Sequence, residues 1–72
     1  MEEYSRILIE DYCNSHKSAK SRRLNKLVRM SYDMSAEGTD ADAVFLEDII
    51  EKETDEALKD ALKDLDNFLF GY

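Results

Sequence analysis

Apolar residues in this chain recur three and four positions apart and never alternate over the length of a strand, so helices are the regular structure the pattern supports. The longest series is Phe45, Leu46, Ile49, Ile50, Ala57, Leu58, Ala61, Leu62, Leu65, Phe68 and Leu69, with no proline to interrupt it. It lapses only at 51–56 (EKETDE), which leaves two readings open. Either one acidic helix runs over 42–70 with Thr54 on its inner face, or two helices break near 53–54. In the second case Thr54 caps a fresh helix whose first turn holds Asp55 and Glu56, where the helix dipole favours negative charge.

The same spacing predicts a first helix over 1–15, with Tyr4, Ile7, Leu8 and Tyr12 on one face. A basic helix over 17–32 follows, with Leu24, Leu27, Val28 and Tyr32 inward and Ser15 or Ser18 available as its cap. Its opening stretch, Lys17 to Arg23, has no large apolar residue and is expected to fray or to depend on a partner. Residues 33–42 (DMSAEGTDAD) read as a loop around Gly38, with Thr39 or Asp40 capping what comes next. The fold class is all-α: three or four helices in a hairpin-like arrangement within one domain.

A chain of 72 residues buries only about 60% of its unfolded surface, and a core of this size supplies about 3–5 kcal/mol. Cys13 is the only cysteine, so no disulfide assists. A homodimer, or completion by a target, is the expected remedy. The lone thiol suits a reducing compartment, the acidic start lacks a leader pattern, and no apolar run approaches the roughly 18 residues of a membrane span. A cytoplasmic protein without membrane contact is expected.

Charge is sorted along the sequence. Between His16 and Met30 stand six cations (Lys17, Lys20, Arg22, Arg23, Lys26 and Arg29) and no acid; from Ser31 onward there are thirteen acids and three lysines, and the whole chain carries −7. Blocks of this kind report what a protein touches. Glu47, Glu51 and Asp55 are spaced i, i+4, i+8, as are Glu56, Asp60 and Asp64. Like charges at that spacing cost a helix about 0.2–0.5 kcal/mol per pair. Asp48 with Lys52, Asp55 with Lys59, and Lys63 with Asp60 or Asp66 offset only part of this. On one continuous helix the acids from Glu47 to Asp66 would fall roughly every 3.3 Å, close to the phosphate spacing along a DNA strand.

The candidate partner-binding residues are therefore Asp40, Asp42, Glu47, Asp48, Glu51, Glu53, Asp55, Glu56, Asp60 and Asp64. A small, acidic, mostly helical chain of this sort resembles the DNA-mimic inhibitors that bacteriophages direct against host DNA-binding proteins. The resemblance lies in charge and size over Asp40 to Asp66, not in a motif. It implies a basic nucleoid or transcription protein as partner, a histone-like HU protein among them, and assigns no role to any single residue.

The basic run supplies the alternative, a small regulator that binds nucleic acid or RNA polymerase through Lys17, Lys20, Arg22, Arg23, Lys26 and Arg29. It lacks interleaved aromatics for base stacking, and it can equally dock on the acidic segment or stay solvated. A third possibility is an adaptor that binds through the apolar end, Phe68 to Tyr72.

Catalysis is not expected, nor any cofactor or metal. His16 has no acid beside it, and Cys13 with His16 forms a lone C-x-x-H without the further ligands of a zinc site. Asp40, Asp42 and Glu51 match positions 1, 3 and 12 of a calcium loop, but Val44 and Phe45 stand where a ligand and a glycine are needed.

Overall fold

The computed structural model describes residues 1–33 and 38–71. They form four helices and, among the described residues, no strand: α1 (Glu3–Ser15), α2 (Ala19–Met30), α3 (Asp40–Lys52) and α4 (Glu56–Phe70). The starts of α2, α3 and α4 are each fixed by a side-chain cap. Ser18 caps α2 by accepting the Ser21 N–H at 3.2 Å. Thr39, not Asp40, caps α3 through a reciprocal box: its hydroxyl accepts the Asp42 N–H at 3.2 Å, and Asp42 accepts the Thr39 N–H at 3.3 Å. The predicted loop over 33–42 thus ends at Thr39, with Asp40 to Asp42 already helical, while 34–37 lie outside the described residues.

The acidic segment is two helices. Glu53 accepts the N–H groups of Thr54 at 2.9 Å and Asp55 at 3.4 Å, which turns the chain. Asp55, rather than Thr54, then caps α4 by accepting from Ala57 at 3.0 Å and Leu58 at 3.2 Å. A single rod of evenly spaced acids therefore does not exist, and with it goes the axial match to a DNA strand.

Helix α1 lies between α2 and α4, and α3 leans on α4. The core draws on every helix: Ile9 from α1, Leu24, Leu27 and Val28 from α2, Leu46 and Ile49 from α3, and Leu58, Leu62 and Leu65 from α4. Full burial of each such side chain contributes about 1.5–3 kcal/mol. The radius of gyration, 11.0 Å, matches the roughly 11 Å expected of a folded chain this long.

The face of α1 differs from the sequence expectation. Ser5, Ile9 and Cys13 point inward, whereas Tyr4 is 67% exposed and Ile7 48% exposed. Because α1 packs against two neighbours, small side chains occupy its line of closest approach. The first turns of α2 are held for the same reason, by the buried Ser21 instead of a large apolar residue. Tyr32 is not inward either. It is 59% exposed, lies beneath the Arg6 guanidinium at 4.2 Å and donates to Glu10 at 3.0 Å.

Candidate partner-binding surfaces

The ten candidate acids divide evenly by what they touch. Asp42 belongs to the α3 capping box and pairs with Arg23 at 3.3 Å; Asp48 pairs with Lys52 at 3.1 Å. Glu53 and Asp55 are consumed by the corner, and Asp64 accepts the Glu2 N–H at 3.0 Å. Asp40, Glu47, Glu51, Glu56 and Asp60 are exposed and have no side-chain partner among the described residues. The pairs expected for Asp55 with Lys59 and for Lys63 with Asp60 or Asp66 do not form. Asp55 has turned its carboxylate onto backbone N–H groups instead.

Three of the unpartnered acids lie on one stripe of α3. Asp40, Glu47 and Glu51 flank Val44, which is 64% exposed, on the side away from Leu46 and Ile49. From Asp40 to Glu51 this stripe covers about 16 Å. Glu56 and Asp60 stand one turn apart at the start of α4. The first ladder is thus cut to Glu47 and Glu51, and the second to Glu56 and Asp60.

The cations divide too. Arg23 leaves the basic cluster to lie against α3, 4.4 Å over the Phe45 ring as well as beside Asp42. Lys20 sits 5.3 Å over the Tyr12 ring, which itself stacks on His16 at 4.4 Å. Lys17, Arg22, Lys26 and Arg29 are exposed with no ion pair among the described residues. Arg22, Lys26 and Arg29 follow one another at i, i+4, i+7 along the outer face of α2. Beside them a cleft of about 380 Å³ opens between the end of α1 and the start of α2, lined by Asn14, Lys17, Arg22 and Asn25 and, among the described residues, by no carboxylate.

A longer depression follows the seam between α1 and α4. It comprises a hollow of about 420 Å³ and a neighbouring one of about 230 Å³, and Leu8 and Ala57 line both. Sequence reasoning missed this surface, because it treated Tyr4 and Leu8 as core and sought binding acids only from Asp40 onward.

Two carboxyl and thiol groups are shifted by their surroundings. Burial alone would raise the Asp42 carboxyl, but hydrogen bonds from Thr39 and Arg23 outweigh it and hold the group below its ordinary range. Burial pushes the Cys13 thiol up, helped by Glu10 and opposed by Lys17. Cys13 is buried and His16 exposed, its Nδ1 directed to the Tyr12 carbonyl at 3.1 Å, so the two do not converge. Among the described residues no group of three or more His, Cys, Asp and Glu could hold a metal ion, and no helix is long and apolar enough to cross a membrane.

No protein-family model matches the chain, and neither a curated protein nor a solved structure matches it.

Proposed function

We propose that the chain inhibits a basic DNA-binding protein by occupying the surface that would otherwise hold DNA. The observation that carries this reading is the unpartnered charge. Asp40, Glu47, Glu51, Glu56 and Asp60 stand exposed, and among the described residues Arg23 is the one of the six clustered cations that pairs with an acid. Unpaired carboxylates attract lysines and arginines over a distance set by ionic screening, so association is fast and falls with salt.

The test is displacement of a labelled DNA duplex from a histone-like HU protein, and from the other basic DNA-binding proteins of a bacterial lysate, read by fluorescence anisotropy at low and high salt. The chain displaces DNA at low salt. The combined Glu47→Lys, Glu51→Lys and Asp60→Lys variant does not, while keeping its helicity. Failure of the unaltered chain against all of these proteins overturns the reading. Asp55 is left alone because its loss would remove a helix cap.

A second reading, direct binding to nucleic acid, is favoured by the ridge of Arg22, Lys26 and Arg29. Its test is a gel shift with duplex and single-stranded DNA, using Arg22→Ala with Arg29→Ala. Arg23 is unsuitable for this purpose, since it is committed to Asp42 and Phe45.

A further inference from the structure

We infer that the seam between α1 and α4 is a groove for one amphipathic helix of a basic protein partner. The inference rests on the acidic-inhibitor reading and names the surface and the shape of the partner. Leu8 and Ala57 belong to both hollows, which makes them one continuous depression from Glu2 and Asp64 at one end to His16 and Asp55 at the other. Its apolar and aromatic lining is Tyr4, Leu8, Tyr12 and Ala57 over the buried Leu58 and Ala61, and Tyr4 and Ala57 are exposed.

Carboxylates stand on both walls: Glu2 and Asp11 on the α1 side, Asp60 on the α4 side, and there also Asp55 and Asp64, which keep their charge while accepting backbone N–H groups. Among the described residues no lysine or arginine lines either hollow. Helix α1 has 13 residues, so the groove is about 20 Å long, the length of a helix of three to four turns. A helix seated there places apolar side chains at i, i+3, i+4 and i+7 over Leu8 and Ala57. Its flanking lysines or arginines then meet acids on either side. A second copy of this chain does not suit the groove, because a two-fold contact sets the same five carboxylates against themselves.

The probes are two synthetic 14-residue helical peptides of equal positive charge. One carries leucine at the four anchor positions and the other serine. Each is titrated into the ¹⁵N-labelled full chain and into its Ala57→Phe variant, which fills the groove at an exposed position without changing charge. Folding of the variant is checked by circular dichroism. The leucine peptide is expected to shift the amides of Leu8, Ala57, Asp60 and Ala61. Affinity should fall at least tenfold for the serine peptide and for the variant.

Equal affinity for both peptides, with shifts confined to Glu47 and Glu51 on α3, overturns the groove and leaves the acidic reading standing. Failure to displace DNA while the leucine peptide still occupies the groove overturns the acidic reading alone. Concentration-dependent self-association that Ala57→Phe abolishes makes a second copy the occupant and overturns the inference.

Discussion

Arg23 lies between two residues of α3, its guanidinium 3.3 Å from the Asp42 carboxylate and 4.4 Å over the Phe45 ring. Among the described residues this is the only ion pair joining the basic helix to an acidic one. It fixes the start of α3 against α2, so the charge it removes from the surface serves the fold. Arg23→Ala loses an exposed pair of about 0.2–1 kcal/mol and a cation–π contact of about 0.5–1 kcal/mol. The melting midpoint should drop by about 4–8 °C for each kcal/mol lost. Arg22→Ala, one residue away and unpaired, should stay within about 0.5 kcal/mol of the unaltered chain. Equal losses in thermal melts of the two variants would remove the special role of Arg23.

The same contact gives α3 an acid-sensitive start. Folding holds the Asp42 carboxyl below its ordinary range. Its contribution is therefore complete above the unfolded value of about 3.9 and fades as pH falls through the lower, folded value. Asp42→Asn keeps an oxygen for the Thr39 N–H but loses the charge facing Arg23. The variant should melt below the unaltered chain at pH 7, and the gap should narrow as acidification protonates the folded carboxyl. A gap independent of pH would show that charge at Asp42 does not matter.

At the corner between α3 and α4, two acids that look like binding residues in sequence are structural. Asp55→Ala removes the acceptor of two N–H groups at the start of α4 and should cost about 0.5–2 kcal/mol. Asp55→Asn should recover most of it. Thr54→Ala should be nearly silent, since Thr54 contributes no side-chain cap. Denaturant unfolding of the three variants separates these cases, and a larger loss at Thr54 than at Asp55 would contradict the observed cap.

Helical character and the two core stripes of α2 and α4 were legible because large aliphatics mark them: Leu24, Leu27 and Val28, then Leu58, Leu62 and Leu65. The stripe of α1 was not legible. Ile7, Leu8 and Ile9 are consecutive and point in three directions, so hydropathy alone does not choose among them. The choice falls to Ile9 because Ser5 and Cys13 share its face and let α2 and α4 approach on either side. The break near 53–54 was one of two open readings, and its cap was not legible for a related reason. Thr54 and Asp55 are both good caps by type, and the carboxylate of Glu53, which pulls the chain round, has no periodic signature. Of the candidate site, the sign of each surface was readable from composition. Which acids stay free was not, since that depends on backbone N–H groups exposed only by the turns. The groove escaped notice because its walls come from segments more than forty residues apart.

The apolar end of the chain is tied to the loop before α3 through Phe70 and Gly38. A side-chain carbon at Gly38 would collide with the far edge of the Phe70 ring, so a substitution there must displace the ring, while the backbone angle itself imposes no demand for glycine. Leu69 and Phe70 pack against the core, which leaves Phe68 as the exposed member of the apolar end, and Tyr72 lies outside the described residues. Gly38→Ala should force the ring outward and forfeit its packing, a loss of about 1 kcal/mol given that only part of a full Phe burial is at stake. Phe70→Leu, which shortens the ring edge, should make the chain indifferent to alanine at position 38. A double-mutant cycle measures this coupling. Additive losses would mean that Gly38 and Phe70 act independently.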